Sequence, residues 1–197
     1  EIKEGNGKGK LYNSIGKLEF EGGYVNGERN GKGKDYNKYG KLLFEGEYVN
    51  GEINGKGKEY NSIGKLEFEG EYLNGKRWNG KGKEYNYDGK LIFEGEYLNG
   101  KRWNGNGYNK EGNIDFEIKE GNGKGKLYNS IGKLEFEGGY VNGERNGKGK
   151  DYNKYGKLLF EGEYVNGEIN GKGKEYNSIG KLEFEGEYLN GKRWNGK

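Results

Sequence analysis

Closely spaced carboxylates are the residues of this sequence whose types and spacing could do chemistry. Glu67, Glu69 and Glu71 recur at every second position, and carboxyl groups about 5 to 10 Å apart serve as acid and base in glycoside hydrolysis. The same glutamates are expected to face lysines such as Lys81 and Lys83 on a neighbouring strand. Each such cross-strand pair contributes roughly 0.2–1 kcal/mol. We favour charge pairing, because it accounts for both kinds of residue.

Other catalytic chemistry has few residues to draw on. The sequence contains no His, Cys or Thr, and its serines occupy equivalent turn positions: Ser14, Ser62, Ser130 and Ser178. A serine triad and a thiolate metal site are therefore impossible, and the glycines lack the spacing of nucleotide-binding loops. The turn Asn86–Gly89 lacks the ligand spacing of a calcium-binding loop. We predict a protein that is not an enzyme and binds no cofactor or metal.

Strands must position these carboxylates, because apolar and polar residues alternate along each repeat. In Gly64–Lys83, Leu66, Phe68, Gly70 and Tyr72 share one face of a predicted strand. This period of two predicts β-structure.

Asn-Gly pairs mark the ends of these strands. Asn74-Gly75 ends the first strand of the repeat, because Asn and Gly tolerate the positive φ angles of tight hairpin turns. Asn79-Gly80 is predicted to open a second strand that runs to Tyr85. Each repeat is therefore predicted to be a β-hairpin.

Glycine beside aromatic residues predicts how the hairpins pack. An aromatic ring can lie flat on the backbone of a neighbouring glycine, which offsets the weakness of glycine in a strand. The predicted aromatic face is the core of the fold or, as a second interpretation, a surface on which glycan rings stack. Its members are Phe20, Tyr24, Phe44, Tyr48, Phe68, Tyr72, Phe93, Tyr97, Phe136, Tyr140, Phe160, Tyr164, Phe184 and Tyr188.

The chain is a tandem array of this one unit. Complete units of 20 to 25 residues follow one another directly: Gly16–Tyr39, Gly40–Ile63, Gly64–Asp88, Gly89–Glu111, Gly112–Ile131, Gly132–Tyr155 and Gly156–Ile179. With the partial units at either end, they predict a single repeat array of about eight hairpins over residues 1–197. Residues 117–197 repeat residues 1–81 without a change. A recent duplication, an engineered joining of two copies, or a window on a longer fibre would each produce this identity.

Composition and charge limit the classes of protein to which the chain could belong. Only 29% of the residues are hydrophobic and 43 of 197 are Gly, which approaches the composition of disordered chains. Regular aromatic spacing and a net charge of +3 instead favour an ordered fold with a thin core. The near balance of charges argues against nucleic-acid binding. No apolar run approaches the roughly 20 residues of a membrane-spanning helix, and neither a signal peptide nor an initiator Met is present. We expect a soluble intracellular fragment or processed piece, with a peripheral membrane location as the alternative.

Three tryptophans are the candidate binding residues. Each is an extra residue after Lys-Arg, where the equivalent stretch Gly27–Asn30 has none. We predict that they lie in loops at a hairpin rim, and Trp beside Arg is common in interface hot spots and membrane-interface anchors. The equal alternative is that each Trp folds back on its own sheet. The predicted partner-binding or lipid-binding residues are Trp78, Trp103, Trp194, Arg77, Arg102 and Arg193.

A repeating string resembles the MORN repeat: Phe44-Glu45-Gly46-Glu47-Tyr48, then Asn50-Gly51, then Asn54-Gly55-Lys56-Gly57-Lys58. The resemblance covers nearly the whole chain. The Phe at its start, the continuation into Glu59-Tyr60 and the extra Trp are similar to the variant MORN repeats of bacterial antitoxin-like proteins. The resemblance implies an elongated, twisted, single-layer antiparallel sheet that binds partner proteins, self-associates and, in some members, contacts anionic lipids.

These observations predict an all-β fold of stacked hairpins with no helix, because a lone hairpin is only marginally stable in water. The main functional hypothesis is a non-enzymatic interaction scaffold. Its aromatic groove and Trp-Arg loops would bind a partner protein, a second copy of the chain or an anionic membrane. Exposed terminal strands would permit edge-to-edge self-association and a homo-oligomer. The alternatives are a module that binds glycans or small ligands, and an antitoxin-like inhibitor of a toxin partner.

Overall fold

A computed structural model of the chain describes residues 2–86, 88–129 and 131–197. Eighteen β-strands make up the regular structure of these residues, and no helix occurs among them. Strands that are consecutive in sequence pair antiparallel, and the hairpins stack side by side in a single layer. The predicted all-β class, the hairpin repeat and the single-layer antiparallel sheet are confirmed.

The strands belong to two compact units. The first unit consists of Glu1–Lys83 and Glu96–Gly100, and the second of Glu84–Gly95 and Lys101–Lys197. In chain order the first nine strands are β1 (Ile2–Lys3), β2 (Asn6–Tyr12), β3 (Leu18–Val25), β4 (Glu28–Tyr36), β5 (Leu42–Val49), β6 (Glu52–Tyr60), β7 (Leu66–Leu73), β8 (Lys76–Tyr85) and β9 (Leu91–Leu98). The other nine are β10 (Lys101–Tyr108), β11 (Ile114–Lys119), β12 (Asn122–Tyr128), β13 (Leu134–Val141), β14 (Glu144–Tyr152), β15 (Leu158–Val165), β16 (Glu168–Tyr176), β17 (Leu182–Leu189) and β18 (Lys192–Gly196).

Two kinds of connection alternate along the chain. Within a hairpin, Asn26 and Gly27 have φ angles of 52° and 83°, which are the values of the tight turn that the Asn-Gly pair predicts. Between hairpins, a longer loop is fixed by the side chain of Asn37. Its Oδ1 accepts hydrogen bonds from the backbone N–H groups of Tyr39 at 2.9 Å and Lys41 at 3.0 Å. The tight turns therefore lie at one edge of the sheet and the longer loops at the other.

Aromatic rings and glycines form the core of each unit. Phe20 makes edge-to-face contacts with Tyr24 and Tyr48 at centroid distances of 5.6 and 5.4 Å, a geometry worth about 0.5–1.5 kcal/mol per pair. A Cβ atom on Gly33 would lie 2.7 Å from Phe20 and 3.1 Å from Tyr48, so both rings rest on this glycine. The predicted packing of rings on glycine backbone is confirmed. The residues that it buries most are Phe20, Phe44, Tyr48, Phe68, Tyr72, Phe93, Phe136, Phe160, Tyr164 and Tyr188.

Hydrogen bonds between successive turns also join the hairpins. The N–H of Gly51, in one tight turn, donates to the carbonyl of Arg29 in the preceding hairpin at 2.9 Å. Gly75 donates to Ile53 in the same way at 2.9 Å, and Gly167 to Arg145 at 2.9 Å. These bonds lie outside the strand ladders. They extend the contact between hairpins to the turn edge itself.

The hairpin of β11 and β12 replaces a tyrosine with isoleucine. Strand β11 has six residues and lacks the Gly-Glu-Tyr sequence, and Ile118 is 2% exposed there and packs beside Gly125. On the next hairpin, the buried hydroxyl of Tyr140 has no hydrogen-bond partner within the described residues. The equivalent Tyr164 donates to Asp151 at 2.5 Å. Leu127 stands at the position that would supply the acid to Tyr140.

We predict that Gly57→Ala destabilises the fold because of one ring. A Cβ atom at residue 57 would lie 2.4 Å from Cζ of Phe44, and overpacking of this kind costs about 1–3 kcal/mol. In a Phe44→Leu background the same change should cost less, because the clashing ring atoms are gone. Urea denaturation of the double-mutant cycle measures this coupling.

Lys56→Ala, next to Gly57 on an exposed position, is the matched control and should stay within about 0.5 kcal/mol of the original protein. Equal costs of Gly57→Ala in both backgrounds would contradict the packing of the Phe44 ring on this glycine.

Candidate functional site

The two faces of the sheet have different chemistry. Residues at alternate positions point to opposite faces, so Glu45 and Glu47 lie opposite the aromatic face that contains Phe44 and Tyr48. We call this second surface the charged face. Glu45 faces Lys34 across the strands at 3.7 Å, as the sequence predicts for its glutamates and lysines.

The aromatic face is filled by its own side chains. The hydroxyl of Tyr48 donates to Asp35, whose other carboxylate oxygen accepts a 2.8 Å bond from Arg29. The guanidinium of Arg29 lies 4.1 Å above the ring centre of Phe20. Burial and the bond to Asp35 raise the pKa of Tyr48 above its usual value. The rings, which sequence analysis also considered as a partner groove or a glycan platform, therefore cover one another and leave little ring surface for a ligand.

The predicted placement of the three tryptophans in loops is wrong, because all three lie in strands. Trp78 is inside β8, which starts at Lys76 and not after Asn79. Tyr72 pairs with Arg77 while Glu71 pairs with Asn79, so Trp78 is the extra residue of a β-bulge. Trp194 is bulged in the same way in β18, and Trp103 lies inside β10. Hairpins without a tryptophan are irregular at the same place, since Tyr48 pairs with Ile53 and Gly46 with Gly57. The added residue therefore changes the register of an existing irregularity without ending the strand.

Each tryptophan inside an array contacts the tight turn of the next hairpin. The Trp103 ring would come within 2.7 Å of a Cβ atom on Gly121, and the Trp78 ring within 3.8 Å of one on Gly100. The carbonyls of both tryptophans accept hydrogen bonds from these glycines, at 2.7 and 2.8 Å. Trp194, in the same Lys-Arg-Trp-Asn-Gly sequence, is 66% exposed. Contact with a neighbouring hairpin therefore decides the environment of the ring.

The three predicted arginines are held on the aromatic face. Arg77 pairs with Glu59 at 2.8 Å, Arg102 with Glu84 at 2.5 Å and Arg193 with Glu175 at 2.9 Å. Each guanidinium group also lies over a ring. The distance to the ring centre is 5.2 Å from Arg77 to Phe68, 4.3 Å from Arg102 to Phe93 and 5.0 Å from Arg193 to Phe184. The hydrogen bond from Arg193 lowers the pKa of Glu175. Arg29 and Arg145, which sequence analysis did not single out, take the same position over their own Phe rings.

The longer loops carry an apolar surface that sequence analysis missed. In the first unit Ile15, Tyr39 and Ile63 are 64 to 70% exposed at the loop tips. Neighbouring loops touch, because the side chain of Asn13 donates to the carbonyl of Lys38 at 3.4 Å. We define the long-loop edge of the first unit as these tips with their exposed lysines, Lys17, Lys38, Lys41 and Lys65. That of the second unit consists of Ile131, Tyr155, Ile179, Lys133, Lys154, Lys157 and Lys181. The sequence does carry a signal for this surface, because an apolar residue recurs before Gly-Lys in these loops.

The charged face forms an open groove in the first unit. The groove has a volume of about 1790 Å³ and crosses strands β2 to β7. Its floor consists of glycine backbone, and Lys and Glu side chains form its walls. The second unit has a smaller groove of about 650 Å³ with the same types of lining residue.

In the part of the chain that the structure describes, no three His, Cys, Asp or Glu residues are grouped so that they could hold a metal ion. The same described residues contain no helix that is long and apolar enough to cross a bilayer.

The fold and its surfaces define a tandem β-hairpin repeat protein. The family model of the MORN repeat matches the chain in four segments, residues 20–34, 44–65, 136–150 and 160–181. The four segments are therefore similar to MORN repeats, a repeat scaffold that typically serves as an interaction or membrane-binding module and is generally not catalytic. No curated protein matches the chain. The closer resemblance to bacterial antitoxin-like variants stays a prediction.

We predict that alkaline pH destabilises the fold through its tyrosines. Burial and the bond to Glu21 raise the pKa of Tyr36 to about 12, and burial and the bond to Glu175 raise that of Tyr188 to about 12. The contribution of each tyrosine to stability is complete below pH 10, the usual pKa of tyrosine, and is lost as the pH rises through 12. Urea midpoints at half-unit steps from pH 9 to 12 should therefore stay level and then fall.

Tyr36→Phe should make that decline less steep, because one raised pKa is removed. Tyr39→Phe, on an exposed loop, is the matched control and should follow the original curve. A curve of Tyr36→Phe that coincides with the original would show that Tyr36 contributes nothing to this pH dependence.

We predict that Trp78→Ala destabilises the protein more than Trp194→Ala. The ring of Trp78 packs on a turn, so Trp78→Ala should lower the free energy of unfolding by about 1–3 kcal/mol. The ring of Trp194 is exposed, so Trp194→Ala should change it by no more than about 0.5 kcal/mol. Chemical denaturation of the two variants measures the difference. Acrylamide should quench the fluorescence of Trp194 more than that of Trp78, and equal losses for the two variants would contradict the packing.

Proposed function

We propose that the protein is a non-enzymatic repeat scaffold that docks on anionic membrane surfaces through its long-loop edge. The observation that supports this function is the row of exposed apolar tips. Ile15, Tyr39 and Ile63 extend from loops fixed by Asn side chains and are more than three-fifths exposed. A rigid loop presents its tip without a further loss of conformational freedom.

The composition of the edge suits the boundary between lipid headgroups and acyl chains. An apolar side chain that enters this region gains roughly 0.8 kcal/mol per buried CH₂ group. A lysine near an anionic leaflet contributes about 1 kcal/mol. The loop segments 13–17, 37–41 and 61–65 contain four lysines and no acidic residue. Insertion and charge attraction therefore act together.

The opposite edge is less suited to an anionic surface. Val25 and Val49 precede the tight turns and are 45% and 47% exposed. They pair with Glu28 and Glu52, which anionic lipids repel. Leu73, at the same position of the next hairpin, pairs with Lys76. The tight-turn edge therefore carries charges of both signs, whereas the loop segments 13–17, 37–41 and 61–65 carry lysines and no acidic residue.

The spacing of the tips favours a fluid bilayer over a protein partner at this edge. Successive hairpins advance by two strands, or roughly 10 Å, so each apolar tip stands apart from the next. A protein hot spot usually requires a contiguous patch that excludes water, whereas single side chains enter a bilayer surface independently.

We predict that removing the apolar tips abolishes membrane binding. In one variant all six tips are changed to Ser together, so that both units lose them. The changed residues are Ile15, Tyr39, Ile63, Ile131, Tyr155 and Ile179. Cosedimentation with vesicles that contain phosphatidylserine should fall at least tenfold, because insertion is lost while the fold keeps its core. Circular dichroism checks that the sheet is intact.

Two further variant sets distinguish this proposal from its alternatives. Val25, Val49, Val141 and Val165 changed to Ser on the opposite edge should leave vesicle binding unchanged. Trp78, Trp103 and Trp194 changed to Ser test the sequence-based hypothesis of a tryptophan site. Loss of binding in that set, with full binding in the tip variant, would assign the lipid contact to the tryptophans. Absence of vesicle binding by the original protein would overturn the proposed function.

A further inference from the structure

Two surfaces that meet inside the second unit also occur elsewhere in the chain. The first is the sequence Lys-Arg-Trp-Asn-Gly, which opens β10 as residues 101–105 and returns as residues 192–196 of β18. The second is the turn segment 118–123, which residues 2–7 repeat without a change. We call the contact of β10 with segment 118–123 the inner junction, residues 192–196 the tryptophan strand, and residues 2–7 the first turn.

Hydrogen bonds and one ring form the inner junction. The carbonyl of Trp103 accepts a 2.7 Å bond from the N–H of Gly121, and Oδ1 of Asn104 accepts a 2.8 Å bond from the N–H of Glu120. The Trp103 ring would come within 2.7 Å of a Cβ atom on Gly121, so the ring lies on this turn. The tryptophan strand and the first turn contain the counterparts of all four residues: Trp194, Asn195, Glu4 and Gly5.

An ion pair extends the inner junction to the following tight turn. Nζ of Lys101 lies 2.6 Å from Glu144, and both residues are partly buried there. Their counterparts, Lys192 and Glu28, are exposed. Each of the two repeated surfaces therefore offers one half of a charge pair.

A second strand of the same sequence contacts a tight turn in the same way. In the first unit, the carbonyl of Trp78 accepts a 2.8 Å bond from the N–H of Gly100, and Oδ1 of Asn79 accepts a 2.9 Å bond from the N–H of Asn99. This turn is Asn-Gly, whereas the turn of the inner junction is Glu-Gly. The sequence Lys-Arg-Trp-Asn-Gly therefore binds tight turns of either kind.

The counterparts of the inner junction are exposed. Ile118 pairs with Gly105 of β10 and is 2% exposed, whereas Ile2 of the first turn is 45% exposed. Trp194 is 66% exposed, and Trp103 is partly buried. Because the local sequences are the same, a neighbouring strand accounts for the difference.

The first turn already has the shape that Lys-Arg-Trp-Asn-Gly binds. Glu4 and Gly5 have φ angles of 49° and 79°, and their counterparts in the inner junction have φ angles of 50° and 73°. The carbonyl of Gly5 accepts a 2.8 Å bond from the N–H of Gly27, and the equivalent bond in the second unit has the same length. Docking on this turn would therefore order little additional backbone.

From this match we propose that the tryptophan strand of one copy of the chain docks on the first turn of a second copy. Residues 1–81 and 117–197 have the same sequence, so the second copy takes the place beside β18 that residues 117–197 take beside β10. The sheet of one copy then continues into the next by strand addition at its edge. The match lies in the residues of the two surfaces and does not depend on where the chain begins or ends.

The contact is head to tail, because the two surfaces are different. A pair of copies still presents one surface of each kind, and contacts of this type build open chains rather than closed dimers. The inner junction also contains Phe116, which is 8% exposed and has no counterpart in the first turn. The contact between copies lacks this ring, so we expect a reversible assembly that depends on protein concentration.

Sedimentation velocity over a range of concentrations tests this proposal on the chain of residues 1–197. The sedimentation coefficient should rise with concentration, and Trp194→Ala should weaken the association about tenfold, because tryptophan anchors are typical hot spots. The Trp194 ring is exposed, so this variant keeps the fold. Tyr39→Ala, which removes an exposed ring from the long-loop edge, is the matched control and should associate as the original protein does.

A mixture of two variants tests the direction of the contact. Ile2→Ser should weaken association through the first turn, as Trp194→Ala weakens it through the tryptophan strand. When the two variants are mixed, they should form pairs and nothing larger, because one intact surface of each kind remains between them.

Exchange of the two charges tests the register of the contact. Lys192→Glu and Glu28→Lys should each weaken the assembly about two- to fivefold, as expected for an exposed ion pair. Both changes in one chain should restore it, because the opposite charges then face each other again.

Three outcomes would overturn the proposal. The first is a sedimentation coefficient that does not change with concentration, and the second is an equal loss of association in Tyr39→Ala. The third is full association of Ile2→Ser, which would indicate a symmetric contact between tryptophan strands. These assays contain no lipid, and the Ser variant of the six apolar tips should assemble as the original protein does. Their result is therefore independent of vesicle binding.

Discussion

Contact between an aromatic ring and the backbone of a glycine on the next strand is the interaction on which this structure depends. The Phe44 ring lies where a side chain at Gly57 would be, so the second strand of the hairpin must carry glycine at that position. Among the residues that the structure describes, no second layer covers the apolar side chains. The rings therefore bury themselves on their own sheet, and a thin core results from only 29% hydrophobic residues.

The same glycine rows also border the opposite face. A side chain at these positions would point to the aromatic face, so on the charged face their backbone lies between the flanking side chains. Those flanking residues point away from the core, and lysine and glutamate at these positions pair across the strands, as Lys58 and Glu69 do at 3.1 Å. The same glycines that seat the aromatic rings thus form the floor of the charged groove.

Several predictions followed from sequence because their causes are local. Alternation of side chains identified the strands, and Asn26-Gly27 adopts the positive φ angles that its turn requires. The position of the tryptophans did not follow from local sequence. Sequence indicated an insertion after Arg77, but only strand pairing shows that Trp78 lies at a bulge within β8. The exposed loop tips were also overlooked, because a lone Ile63 between polar residues lies outside the strand alternation, and only its recurrence before Gly-Lys from repeat to repeat indicates the surface.

By itself, the sequence determined the hairpins and the residues that line each face, since alternation and turn chemistry act over a few positions. Only the tertiary structure decided which side chains are covered. Trp78 and Trp194 have the same neighbours in sequence, yet one packs on the turn of another hairpin and the other is exposed. Burial in a stacked sheet depends on the adjoining hairpin, and its residues lie some twenty positions away along the chain, beyond the reach of local pattern.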